Sequence, residues 1–353
     1  MATGHTATNA ILSKLEKEIA KEYEQAEKEV EEKLQDYLRR FAKKDALKKK
    51  ALANGLITQQ EYNQWRIGQI AMGERWEEMR DTLAQDYSNV NQIARSVAYG
   101  YMPEVYALNH NYGTFLVEKE SLLDTSYTLY DAQAVEFLFN GGTFYPSPGR
   151  RVTERINMGL DVAWNKKQVE SVMIQSILQG ESIGGIATRL SKSVGETNRK
   201  AAIRNARTMT TCVENAGNVA SYERAASMGI DVQQEWRATL DNRTRHEHRM
   251  VDGQRVAAGA SFVVDGYEME YPGDPSAPGY LVYNCRCHVR PVVKGHEVEA
   301  SDVTKRNNKL GEMTYSEWKS QKTSISQSIT HQDEVASTMK RVYGAEYKRY
   351  SRL

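Results

Sequence analysis

Trp236-Arg237-Ala238-Thr239-Leu240-Asp241-Asn242-Arg243-Thr244-Arg245-His246-Glu247-His248 leads, past Asp252-Gly253-Gln254, Phe262 and Tyr271-Pro272-Gly273-Asp274, to Asn284-Cys285-Arg286-Cys287-His288. This stretch decides the fold class because it interrupts the helical character of the chain around it. Residues 231–293 are rich in Gly, Pro, Asp and short β-prone runs. Val232 to Ala238, Ser261 to Val264 and Val289 to Val293 are the expected strands. A module of this size buries little core, and small modules commonly need a metal or a disulfide as a staple.

Working outward, the flanks read as helix. The stripe Ile11, Leu15, Ile19, Tyr23, Ala26, Val30, Leu34, Leu38, Phe41 keeps steps of three and four, so a long amphipathic helix is expected there, packed on its own domain or along a partner helix. Asn54-Gly55 stops it. Thr58-Gln59-Gln60-Glu61 is a capping box, in which Thr58 and Glu61 satisfy free amides at a helix start. Trp65, Ile67, Ile70, Trp76, Met79 and Leu83 mark further helices through about Val105. Tyr106 to Val117 shows no clean helical period, and Phe115-Leu116-Val117 reads as a short strand. Asp131 is read as the cap of a short helix through Leu138. Asn140-Gly141-Gly142 and Pro146-Ser147-Pro148-Gly149 then break the chain. Helix resumes from Arg151 to Gly229, with stops at Gly180 and Gly229, starts at Ser182 and Thr197, and a stripe from Ile203 through Val213 to Tyr222. Past Gly295 the tail is polar, with a capping box at Thr314-Tyr315-Ser316-Glu317 before Trp318 and a basic last helix, Val335 to Tyr350. The expected architecture is mainly α with a small α+β module: a helical region at 1–148, a helical middle at 149–230, a loop-rich β module at 231–295 and a helical tail at 296–353.

Composition narrows the function. Lys and Arg total 47 against 46 Asp and Glu, a net charge of +1, so the chain lacks the overall basic excess of a dedicated duplex binder. A mean hydropathy of −0.65 suits long solvent-facing helices, and 20 Tyr beside 6 Phe suits half-exposed faces and interfaces. The 3 Cys are too few and odd in number for a secreted disulfide scaffold. With no signal-peptide pattern and no membrane-spanning run, the chain is expected to fold in a reducing cytoplasm with no membrane partner.

Chemistry concentrates in the quoted stretch. Cys285 and Cys287 offer soft ligands, and His246, His248, His288 and Asp241 offer others, the donor types that a tetrahedral zinc site uses. The bland alternative is two reduced thiols packing a small β module, with the histidines on the surface. No phosphate-cradling Gly loop is present, and Cys212 sits mid-helix with nothing to activate it.

The same residues resemble the phage head morphogenesis family, the minor head proteins similar to protein F of phage Mu. In that family a Trp-bearing strand precedes Asp-x-Arg-Thr-Arg-x-x-His, a Gly turn, Tyr-Pro-Gly and Asn-Cys-Arg-Cys. Here these are Trp236, Asp241, Arg243, Thr244, Arg245, His248, Gly253, Tyr271, Pro272, Gly273, Asn284, Cys285, Arg286 and Cys287. Ala206-Arg207-Thr208, Asn215-Ala216 and Gly229 resemble the preceding helix. The resemblance implies His248, Cys285 and Cys287 as metal ligands, Asp241 as the fourth and His246 or His288 as alternates, around a structural Zn2+. Arg243, Arg245 and Arg286 are then expected to order loops through carboxylates or carbonyls.

The resemblance also implies a structural protein of a tailed-phage virion rather than an enzyme. It would sit in the head interior at the portal vertex, with the portal protein, capsid or scaffold proteins and packaged double-stranded DNA as partners, and act in assembly or DNA delivery. Two alternatives compete. A metal-dependent nuclease would use Asp241, His246 and Glu247 around a water-bearing metal. A DNA-binding adaptor would use Arg207 and the basic C-terminal helix through Lys340, Arg341, Lys348, Arg349 and Arg352.

Overall fold

A computed structural model describes residues 4–130, 135, 162–294 and 310–322. The chain is mainly helical. In order it forms α1 (Gly4–Arg39), α2 (Ala42–Ala53), α3 (Gln59–Ile70), α4 (Glu74–Ser121), α5 (Val162–Leu178), α6 (Ile183–Leu190), a π-helical turn (Ser191–Gly195) and α7 (Glu196–Ser227). Then follow β1 (Val232–Arg237), α8 (His246–Met250), β2 (Arg255–Ala257), β3 (Phe262–Val264), β4 (Tyr267–Met269), α9 (Gly279–Val282), β5 (His288–Val293) and α10 (Tyr315–Gln321). The described residues fall into two compact units: those within 15–98 and 154–204, and those within 1–14, 99–153 and 205–353.

The first of these units is a helical bundle. Its core joins Val30, Leu34 and Leu38 of α1 to Trp76, Leu83 and Tyr87 of α4, Val169, Met173 and Ile177 of α5, and Ile186 and Leu190 of α6. The predicted stripe is buried from Ile11 to Leu38. The helix ends at Arg39, however, and Phe41 lies beyond it with its amide on the Leu38 carbonyl. Thr58 and Glu61 form the expected reciprocal cap of α3, and Ser182 caps α6 through the Gly185 amide. Within the core, Tyr23, Asn91, Asn198, Asn165 and Ser88 form a continuous hydrogen-bonded chain. Such a fully satisfied buried network fixes which helix faces meet, because any other register leaves amides unpaired.

The second unit contains the β module, the C-terminal part of α4 and most of α7. Here α4 and α7 touch at their backbones: a Cβ on Gly217 would lie 2.8 Å from the Tyr106 carbonyl oxygen. The three-stranded antiparallel sheet has the order β2-β1-β5, with Trp236 opposite Val289 and Glu235 opposite Arg290. A separate hairpin pairs β3 with β4. Its two-residue turn, Asp265-Gly266, has positive φ at both positions, the geometry that an Asp-Gly hairpin favours. Trp236, Phe262, Val264, Met269, Tyr271, Leu281 and Val289 share one core with Tyr222 and Cys212 of α7. On the other face of β1, Glu235 is 2 % exposed yet meets Arg255 at 2.7 Å, Arg290 at 3.0 Å and Arg237 at 3.1 Å. Burial pushes its pKa up, but Arg290 and Arg255 more than offset that and hold it low.

Two sequence expectations change. Residues 106–121 are not a strand or an irregular segment: α4 runs through Pro103 to Ser121. The helical period is hidden there because the inward face is polar. Asn109, His110, Asn111, Thr114 and Glu118 are buried and find partners. The strands are more numerous than expected, with β2 and β4 added. The breaks at 140–149, the Asp131 cap and the basic Val335 to Tyr350 helix lie outside the described residues.

Candidate metal centre

Two ends of the β module converge on one buried point. From β1 the chain leaves the sheet at Arg237, turns through 238–245 and enters α8, which points His248 inward. The return is pinned to β1: the Gly253 amide bonds the Trp236 carbonyl, and the Trp236 amide bonds the Gln254 carbonyl. From the other side, α9 ends and Asn284 takes a left-handed conformation (φ 53°), which turns Cys285-Arg286-Cys287 into β5. The His248 Nδ1 lies 3.6 Å from the Cys285 Sγ and 3.3 Å from the Cys287 Sγ. All three residues are buried, and their ligand atoms lie within 4.8 Å of one another.

The three donors are of the types that zinc takes, and among the described residues they fill three of the four corners of its tetrahedron. Tetrahedral bonds of about 2.3 Å to sulfur and 2.0–2.1 Å to nitrogen place S and N about 3.6 Å apart, close to both observed separations. The His248 Nε2 is buried without a hydrogen-bond partner among the described residues, whereas a metal-bound histidine usually donates its second N–H. Trp236 meets the His248 ring edge to face at 5.5 Å. The two thiols differ: hydrogen bonding to Cys287 drives Cys285 up, while the Cys285 hydrogen bond and His248 pull Cys287 down. Cys287 is thus the thiol of the pair that gives up its proton more readily, and a metal-bound cysteine must give up its proton. Burial pushes the third thiol, Cys212, far up, and it belongs to the core.

The structure brings together His248, Cys285 and Cys287 but not Asp241. That carboxylate grips Arg286 bidentately, at 2.6 and 2.7 Å, and also accepts the Arg243 amide at 2.9 Å. Arg286 holds its pKa well below the usual carboxylate range. Its oxygens are committed to tying the 238–245 loop to the Cys285–Cys287 turn. The expected roles of the arginines take the same form: Arg286 pairs with Asp241, and Arg245 donates to the Tyr283 carbonyl. Of the alternate ligands, His246 is exposed. His288 stacks on His5 at 4.7 Å, its pKa pushed down to about 4 by burial. Glu214, 2.7 Å from His5, outweighs burial there and raises that pKa.

What holds the cysteine turn in place is a polar stripe on α7. The Thr208 hydroxyl accepts the Asn284 amide, the Thr211 hydroxyl donates to the Cys285 carbonyl at 2.6 Å, and Asn215 reaches two segments at once. The Asn215 side-chain amide donates to the Pro272 and Cys287 carbonyls at 3.0 and 3.2 Å, and its oxygen accepts the Val289 amide at 2.9 Å. Gly273 completes the packing, with φ 87° and space for a Cβ only 3.1 Å from the Cys212 backbone nitrogen. These positioning residues follow the spacing i, i+3, i+7 in the sequence. Small polar side chains at that spacing, on a face that also carries Cys212 and Tyr222 of the core, are the signal by which they were detectable.

A buried His-Cys-Cys group between a three-stranded sheet and a long helix, tied by Tyr-Pro-Gly and Asn-Cys-Arg-Cys turns, defines a class. Residues 167–290 match the family described as Phage Mu protein F like protein, and the chain carries a domain of that family. It is also a homologue of Minor head protein GP7 of Bacillus phage SPP1, with 28% identity over 240 residues, which cover 61% of this chain and 75% of that protein. It is similar as well to NAD(+)--arginine ADP-ribosyltransferase EFV of Enterococcus faecalis, with 29% identity over 177 residues, 49% of this chain. The matched part spans about a third of that transferase, 35%. No solved structure matches the chain.

Proposed function

We propose that this chain is a minor structural protein of a tailed-phage head, bound at the portal vertex and acting in head assembly and in packaging or delivery of DNA. The observation that carries the reading is the breadth of the relationship to the SPP1 minor head protein. It extends over three quarters of that protein, well beyond the module that holds the cysteines. The transferase shares a smaller fraction of its length, so its activity belongs to a protein most of which has no counterpart in the match. In this reading the chain is not itself an enzyme. The His248, Cys285 and Cys287 group is a structural Zn2+ site: an ion held there would bond the two ends of the module. The residues of this chain supply the rest, with Asn215, Thr211 and the Asp241–Arg286 pair orienting the turn. The nuclease alternative loses support because Asp241 is engaged by Arg286 and His246 points to solvent. No helix among the described residues is long and apolar enough to cross a membrane.

The test is the protein content of purified heads. Procapsids made with and without this gene are compared by quantitative mass spectrometry. The reading expects the chain in a few copies per particle, lost when the portal gene is deleted. Its absence from procapsids, or a copy number unaffected by portal deletion, would contradict portal-vertex placement.

A further inference from the structure

Residues 39–50, Arg-Arg-Phe-Ala-Lys-Lys-Asp-Ala-Leu-Lys-Lys-Lys, hold seven basic residues and one acidic in a chain whose net charge is only +1, so the remainder is net acidic. They span the end of α1 and most of α2. Arg39, Arg40, Lys43, Lys44, Lys49 and Lys50 are exposed. Apart from Arg39, paired with Asp36, none of them has a carboxylate within ion-pair distance among the described residues. The lone acid of the strip is already used: Asp45 pairs with Arg66 at 3.1 Å and accepts the Tyr62 hydroxyl at 2.9 Å, which ties α2 to α3.

Packing accounts for one side of this helix only: Ala42, Asp45, Lys48, Ala51 and Leu52 are half-buried, none of its residues is fully buried, and no side chain caps its start. Five lysines within eight positions repel one another, Lys44 and Lys48 at the i,i+4 spacing where like charges destabilise a helix. The cost is relieved when a polyanion arrives. The chemistry selects among polyanions. Leu47 and Leu52 fall on opposite sides of α2 at 100° per residue, so it lacks the single apolar face that a bilayer surface requires. Specific protein interfaces favour Arg and are depleted of Lys, and every basic residue of α2 itself is lysine. Flexible ammonium groups spread over about 11 Å of helix suit the evenly spaced phosphates of a duplex.

We propose that residues 39–50 form a sequence-independent contact for the phosphate backbone of double-stranded DNA, carried by Lys43, Lys44, Lys48, Lys49 and Lys50. The proposal relies on the head-protein reading only for which polyanion is at hand. It differs from a contact through Arg207 or the C-terminal basic residues.

The experiment measures binding of the full-length protein to two short duplexes of unrelated sequence by fluorescence anisotropy across a salt series. It compares wild type, a variant with all five lysines changed to Gln, one with all five changed to Arg, and one with Lys340, Arg341, Lys348, Arg349 and Arg352 changed to Gln. Five phosphate contacts predict that the strip's share of affinity falls roughly 500-fold between about 50 and 200 mM salt. The Gln strip variant should lose that share and flatten the slope of log K against log salt by about four to five. The Arg variant and the C-terminal variant should keep the strip's share, equally on both duplexes. Wild-type slope and affinity in the Gln strip variant would overturn the proposal, as would loss of the slope only in the C-terminal variant. Portal co-purification of the same proteins separates the two readings. A strip variant that loses the portal but keeps DNA shows a protein contact and overturns the proposal. A wild type that binds DNA through the strip but never binds the portal leaves the strip standing and removes the portal reading.

Discussion

Asn215→Ala should release the cysteine turn from α7. The side chain is fully buried and makes three hydrogen bonds to other segments of the module, through the Pro272 carbonyl, the Cys287 carbonyl and the Val289 amide. Each contributes about 1 kcal/mol net, and leaving the buried Val289 N–H unpaired costs about 1–3 kcal/mol more, so the loss is about 4–6 kcal/mol if nothing relaxes. The loss should appear locally, because α5 and its neighbours pack in the other unit. Hydrogen exchange read by mass spectrometry on peptides covering 284–293, with the α5 peptide as internal control, is the assay. Even 3 kcal/mol of local destabilisation is more than a hundredfold in exchange rate. Asn215→Asp should be no better, since it keeps the acceptor for Val289 but turns a carboxylate toward two carbonyl oxygens. Unchanged exchange at 284–293 in Asn215→Ala would refute the stitching role and leave the turn held by its own strand pairing.

Three further outcomes follow from the same geometry. Asp241→Asn should leave the zinc content of the purified protein unchanged while loosening the 238–245 loop; loss of zinc would make Asp241 a ligand after all. Because Arg286 lowers the Asp241 pKa, the carboxylate stabilises the fold above its unfolded pKa of about 3.9 and that contribution disappears as pH falls below it. The Asn variant should therefore lose part of the acid dependence seen in unfolding curves, and an unchanged profile would contradict the pairing. His248→Ala and Cys287→Ser should each reduce bound zinc, measured by plasma emission, from about one per chain to background, and make 236–293 protease-sensitive; retention of the metal would dismiss the centre. Glu118→Ala should undock α10. The fully buried carboxylate receives the Trp318 indole N–H at 2.6 Å and the Lys322 ammonium at 3.0 Å, and removing one partner of a buried pair costs about 3–5 kcal/mol. A red shift in Trp318 emission is expected, and unchanged emission would count against the latch.

The parts of the fold legible in the sequence are those where local chemistry and tertiary packing agree. The α1 stripe, the Thr58 and Thr314 capping boxes and the β1 and β5 strands all read directly, because in each the local residue pattern already names the face that is buried or the amide that is capped. The end of α4 did not, since its inward face carries Asn109, His110, Asn111 and Glu118, whose partners lie far away in sequence. The hairpin of β3 and β4 is marked by Asp265-Gly266, a signal easily lost among the many glycines of the module. In the site, His248, Cys285 and Cys287 are brought together as the family resemblance implied. Asp241 looks like a ligand in one dimension, but its pairing with Arg286 is settled only by the turn at Asn284, which swings the guanidinium onto it. The lysine strip of α2 is invisible in a net charge of +1 because the acidic remainder of the chain cancels it. The excess of tyrosine finds a place in the aromatic cluster around Trp318, where Tyr112, Tyr127, Tyr130 and Tyr315 gather.

The proposed head protein is seated on the portal and stapled by a metal. Mixing the purified chain with the portal ring of its own phage, resolving the mixture by size exclusion with mass analysis and measuring zinc on the same fractions tests both parts together. A stable complex whose zinc tracks this chain is the predicted result. Two free components, with no zinc on the chain, would contradict both the portal seat and the metal staple.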